Sequence, residues 1–80
     1  MSEGWLIQRY KNATKDSVQL QVELNGYCVW LEPGEMFEIQ YEPPKDRKDS
    51  SYFQQNECGL IEFWCAGGIF NILIDGEKIY

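Results

Sequence analysis

The chain has 80 residues, with 13 Asp and Glu against 7 Lys and Arg, a formal charge of −6 and no histidine. That length admits one domain with a small core, and 44% hydrophobic with 25% charged residues is a globular composition, not a disordered one. The acidic balance disfavours direct nucleic-acid binding, and the missing histidine removes the usual base for a serine or cysteine nucleophile.

No apolar run approaches the ~20 residues that span a bilayer. The opening residues, Met1-Ser2-Glu3-Gly4-Trp5, have neither a basic stretch nor a long apolar one, so no signal peptide and no membrane association are expected. Cys28, Cys58 and Cys65 are then expected to be reduced thiols of a cytoplasmic protein, behaving as small buried apolar residues. Their spacing is not that of a zinc knuckle, and a Cys58–Cys65 bridge is the less favoured alternative. No metal and no cofactor are expected.

The pattern is period two almost throughout. Trp5 to Tyr10 is a first strand. Val18 to Leu24 alternates completely, with Gln19, Gln21 and Glu23 on its polar face. Asn25-Gly26 then predicts a two-residue type I′ hairpin into Tyr27–Leu31, pairing Leu24 with Tyr27, Val22 with Val29 and Leu20 with Leu31, and setting Trp30 opposite Gln21. Glu32-Pro33-Gly34-Glu35 has the type II signature. It leads to a strand from Met36 to Glu42, through either a bulged hairpin or a corner into a second sheet. Residues 43–51 are polar, with adjacent prolines, and predict a mobile loop. Tyr52 to Asn56 is at most a short edge strand. Leu60–Cys65 and Ile69–Ile74 flank Gly67-Gly68 as a predicted hairpin, with Trp64 across from Asn71. Asp75-Gly76 predicts a second I′ turn that returns Lys78 to Tyr80.

About six or seven short strands at these spacings predict an all-β domain, a single small antiparallel sandwich or open barrel. The order Asn12-Ala13-Thr14, Leu20-Gln21-Val22-Glu23-Leu24, Trp30-Leu31-Glu32-Pro33-Gly34-Glu35, Ile61-Glu62-Phe63-Trp64, Gly67-Gly68 and Ile74-Asp75-Gly76-Glu77 resembles a loose group of small, uncharacterised bacterial all-β proteins. The resemblance implies the fold across nearly the whole chain and carries no site residue with it.

The chemistry-bearing residues are few. Glu23, Glu32, Glu35, Glu38 and Glu42 fall in a stretch with no base between residues 16 and 44. Glu38 and Glu42 belong on a convex strand face, not across a cleft as paired carboxylate catalysis requires. Asn12-Ala13-Thr14 matches a glycosylation sequon but reads as a turn. Trp30 and Trp64 fall on the faces opposite the aliphatic one, where they form an interface patch or lie under the first strand or the 43–57 segment. The sequence thus predicts a non-enzymatic, acidic protein-binding module, an inhibitor or immunity-type protein for a basic partner, with Trp30, Trp64 and the five glutamates as the interface. Self-association as a structural module, and a small-ligand site inside a barrel, are the alternatives.

Overall fold

A computed structural model describes residues 4–23, 26–46 and 48–80, with the backbone alone at Phe70. Among the described residues eight strands are formed: β1 (Leu6–Lys11), β2 (Val18–Glu23), β3 (Tyr27–Leu31), β4 (Met36–Glu42), β5 (Tyr52–Gln55), β6 (Ile61–Trp64), β7 (Gly68–Ile74) and β8 (Glu77–Lys78). They make two four-stranded sheets, ordered β1-β4-β7-β8 and β3-β2-β6-β5. The protein is a small all-β sandwich, as its alternating pattern predicts.

Alternation explains the layers. Leu20, Val22, Leu31, Ile61 and Phe63 point inward from one sheet, and Phe37, Ile39, Tyr41 and Ile72 from the other. All are at most 3% exposed and pack as one core. Aromatic rings stitch the two sheets. Tyr10 of β1 meets Phe53 of β5 at 5.6 Å, Phe53 meets Phe37 of β4 at 6.2 Å, and Phe63 of β6 meets Tyr41 of β4 at 5.7 Å. Such tilted and edge-on pairs add about 0.5–1.5 kcal/mol each beyond the area they bury. On the other side of the sandwich, the Tyr27 hydroxyl donates to the Ile79 carbonyl and its ring lies 5.0 Å from that of Tyr80.

Register and connectivity depart from the sequence reading in four places. First, β2 and β3 pair Val22 with Tyr27, Leu20 with Val29 and Val18 with Leu31, two residues from the expected register. β2 ends at Glu23, β3 begins at Tyr27, and the Gly26 N–H donates to the Val22 carbonyl. A two-residue shift keeps every side chain on its face, so the apolar pattern fits both registers. Leu24 and Asn25, on which the I′ reading rested, lie outside the described residues.

Second, the Gly67-Gly68 segment does not close a hairpin. β6 and β7 belong to different sheets, and β7 pairs with β4. Third, β6 runs parallel to β2, Leu20 beside Ile61 and Val22 beside Phe63, so this sheet is mixed, not purely antiparallel. Fourth, the late part of the 43–51 segment is held, not loose. Asp49 accepts from the Tyr41 hydroxyl at 2.6 Å and from the Ser51 N–H, Gln8 donates to the Ser51 carbonyl, and the Ala66 N–H donates to Ser51 Oγ. A buried Tyr41 has to place its hydroxyl, and this loop supplies the acceptor. Arg47 lies outside the described residues.

Other turns form as their residues predict. Glu35 N–H donates to the Glu32 carbonyl with Gly34 at φ 86°, a type II turn, and it serves as the corner that carries the chain from one sheet to the other. Asp75 and Gly76 take φ 51° and 82° and pair Ile74 with Glu77, the I′ geometry. Tyr52–Gln55 is an edge strand.

Asn12 is the buried polar centre of this arrangement, with no exposure. Its side-chain amide donates to the carbonyls of Asp16 and Leu31, and its Oδ1 accepts from the Thr14 N–H and hydroxyl. Its backbone donates to Glu35 and accepts from Gly34. The Asn12-Ala13-Thr14 sequence is therefore a turn whose amide is fully engaged, and the folded chain does not present it as a glycosylation acceptor.

Candidate functional site

Sheet pleating sorts the candidate residues onto two opposite outer faces. On the face of β3-β2-β6-β5, Trp30 stands opposite Gln19 and Cys28 opposite Gln21, Glu62 lies beside Gln21, and Trp64 lies between Glu23 and Tyr52. Trp30 is 61% exposed and Tyr52 48%. Gln19 and Glu23 are four residues apart on β2, so the two tryptophans sit diagonally across it, separated along the strand by about 13 Å. The four strands carry no lysine or arginine.

Trp64 is half-buried, and its indole N–H is shut away with no hydrogen-bond partner among the described residues. Its neighbours are Glu23 and Tyr52; Asn71, expected across from it, belongs to the other sheet. Tyr52 and Glu62 belong to this face and were not among the predicted site residues: the short Tyr52–Gln55 strand has too little periodicity to place, and Glu62 lies outside the glutamate cluster of residues 23–42.

Glu38 and Glu42 project from β4, on the opposite face. Glu38 is paired with Arg9 at 2.9 Å across the β1–β4 ladder and accepts from Gln40, which in turn accepts from Asn71. Glu32 and Glu35 are turn residues. Glu35 Oε1 accepts the Glu32 backbone N–H at 2.7 Å, and Glu32 Oε1 accepts from Ser17. The five glutamates that cluster in sequence are therefore not one acidic face. The 32–35 corner sends β4 to the other sheet, and Arg9, remote in sequence, neutralises Glu38.

The hydrogen bond from Gln40, then that from Arg9, holds the Glu38 carboxyl below its ordinary value of 4.5. A carboxyl depressed in the folded state contributes its stability above the ordinary value, and that contribution is lost as pH falls through the lower folded value. The fall in melting temperature between about pH 6 and pH 3 is therefore expected to be smaller in Glu38→Gln than in the unmodified protein. An identical fall in both proteins would show that the pair contributes nothing. Burial raises Asp49, but the hydrogen bonds from Tyr41 and Ser51 outweigh it and leave it lowered, while burial and then the bond to Asp49 raise Tyr41.

The cysteines also divide differently from expectation. All three are free thiols, but Cys65 alone is buried; burial pushes its thiol up. Cys28 and Cys58 are exposed, and Gln19 donates to Cys28 Sγ. The alternating pattern puts Cys28 on the same outward parity as Trp30. Among the described residues no group of three or more Cys, Asp or Glu stands close enough to hold a metal ion, and none forms a helix long and apolar enough to cross a membrane.

A surface cleft of about 590 Å³ adjoins Trp30, between the 12–17 connection and the turn that joins β5 to β6. Asn56 shapes that turn, accepting the Cys58 and Leu60 N–H groups on its Oδ1. The cleft lies outside the core, whose side chains fill the space between the sheets. Compared with known proteins, the chain matches no family model, no curated protein and no solved structure.

Proposed function

We propose that this is a non-enzymatic protein-binding module of the bacterial cytoplasm, acting on a basic protein partner through the outer face of the β3-β2-β6-β5 sheet. The observation that carries the reading is Trp30, 61% exposed on strands that bear carboxylates at Glu23 and Glu62 and no base. Exposed tryptophan is a residue type that concentrates binding energy, and carboxylates without a base on these strands favour encounter with a basic surface and disfavour acidic ones. An inhibitor or immunity-type role against a basic enzyme fits this chemistry. Of the glutamates first considered, Glu23 stays in the interface, whereas Glu38 is paired on the far side.

The test is capture of a partner from native extract by the unmodified protein, Trp30→Ala, Glu62→Lys and, as a control on the outer face of the other sheet, Glu42→Lys. A basic partner retained by the first and last and lost by the other two is expected, with affinity falling as salt rises because the contacts are exposed. Equal retention by all four overturns the reading. Self-association is the second reading, favoured by β3: an edge strand, Tyr27–Leu31, with neither a charge nor a proline to guard it. Sedimentation at two concentrations separates the readings, since a strict monomer leaves the heterologous partner.

A further inference from the structure

The cleft beside Trp30 carries chemistry that the flat sheet face does not. Its lining includes Asp16, Ser17, Gln19, Trp30, Gln55 and Asn56, and among the described residues it contains no lysine or arginine. Lys15 is adjacent in sequence and exposed but does not line it. Both walls are fixed by hydrogen bonds, and those on the Asp16 side leave its carboxylate unused. The Asp16 carbonyl accepts from Asn12 and Thr14, and Asn56 uses its Oδ1 to set the opposite turn. The Asp16 carboxylate makes no hydrogen bond or ion pair among the described residues. An aromatic face, a free carboxylate and side-chain oxygens thus surround one recess, and a preorganised recess of this kind lowers the ordering cost of binding.

We infer that this cleft receives an arginine side chain of the basic partner, its guanidinium stacked on the Trp30 indole and its N–H groups shared between Asp16 and the wall oxygens. The inference rests on the protein-binding reading above. Arginine fits better than lysine because the planar, weakly hydrated guanidinium stacks on an aromatic face while keeping several donors free in its own plane. A neutral polyhydroxyl ligand would also stack and donate hydroxyls to Asp16, but it would bring no positive charge to complement the carboxylate.

The experiment follows the indole N–H resonance of Trp30, assigned by its loss in Trp30→Leu, as the full chain is titrated with acetyl-Gly-Arg-Gly-amide. The same peptide carrying citrulline, which keeps the shape and planarity but not the charge, and one carrying lysine are the comparisons. Arginine is expected to shift Trp30 and leave Trp64 in place. Citrulline, and arginine with Asp16→Asn, should each bind roughly five-fold or more weakly, the range of one cation–aromatic or exposed charge contact. Asp16 holds the fold through its backbone, so the Asn variant stays folded. Equal binding of citrulline or lysine, or no change with Asp16→Asn, overturns the inference. Partner capture lost with Glu62→Lys but no arginine response overturns the cleft assignment and leaves the face reading standing. Equal capture by every face variant overturns the face reading itself.

Discussion

Gly67→Ala is expected to cost about 3 kcal/mol or more of stability, lowering the melting temperature by roughly 12 °C or more in a domain of this size. A Cβ placed on Gly67 falls 1.6 Å from the Glu42 carbonyl oxygen, 2.8 Å from its carbon and 3.2 Å from the Pro43 carbonyl carbon. Every one of these atoms is backbone, so no side chain can rotate aside. Relief requires the start of β7 to retreat from the end of β4. That movement breaks the pairing of Glu42 with Gly68 and disturbs the adjacent bulge, where Tyr41 pairs with Ile69. Tyr41 is fully buried, so the disturbance reaches the core. A domain of 80 residues has only about 4–12 kcal/mol in total, and such a loss consumes much of it. Gly68→Ala is the control, since a Cβ there meets nothing within 4 Å, and it should change stability by less than about 1 kcal/mol. Denaturant unfolding of both variants decides the matter. Similar costs at the two positions would remove the close approach as the reason for glycine at 67.

Asn12→Ala is expected to cost about 3 kcal/mol, the summed penalty of stranding buried polar groups at about 1–3 kcal/mol each. The Leu31 carbonyl loses its side-chain donor in a buried setting, and Thr14 loses the acceptor for its N–H and one of the two acceptors of its hydroxyl. The damage is not local, because Asn12 joins the exit of β1, the end of β3 and the 32–35 corner at one point. Asn12→Asp makes the sharper test. It keeps the acceptor for Thr14 but turns an oxygen toward the carbonyls of Asp16 and Leu31. The introduced acid is forced toward its protonated form, so its folded pKa rises above the unfolded one. The stability gap to the unmodified protein should then be widest near neutral pH and should narrow as pH falls below the raised pKa. A gap that does not change with pH would mean that the amide donors are not what the site requires.

Parity was the most legible property of this sequence, and connectivity the least. Every inward residue of β2, β3, β4 and β6 could be assigned from alternation, since one face of each strand must be apolar. Register could not, because a shift of two residues leaves the pattern intact, and β2 and β3 use that freedom. Nor could alternation distinguish a hairpin from a corner. Phe63 and Ile72 face a common core whether they pair across a turn or lie in opposed sheets, and the Gly67-Gly68 segment turned out to be a crossing. The Pro33-Gly34 turn was readable as a turn, but where it delivered the chain depended on the whole sandwich. The candidate site follows the same rule. Outward placement of Trp30 and Trp64 came from parity, whereas the dispersal of the glutamates came from topology. Arg9 reaches Glu38 only because β1 lies beside β4, and nothing near Glu38 in sequence announces it.

The parallel pairing of β2 with β6 has a kinetic consequence. Leu20 meets Ile61 only after the chain has crossed to the other sheet, built β4 and returned through β5. The central ladder of one sheet thus waits on residues from the last third of the sequence, and β4 likewise waits for β7. Loop closure over such separations must be met before the contacts reward it, which places folding in the slow, non-local regime of milliseconds to seconds. No half of the chain holds a complete sheet. Until β6 and β7 have emerged from the ribosome, the apolar faces of β2, β3 and β4 have no finished sheet to rest on, and the nascent chain depends on its own negative charge to keep those faces apart from neighbouring copies.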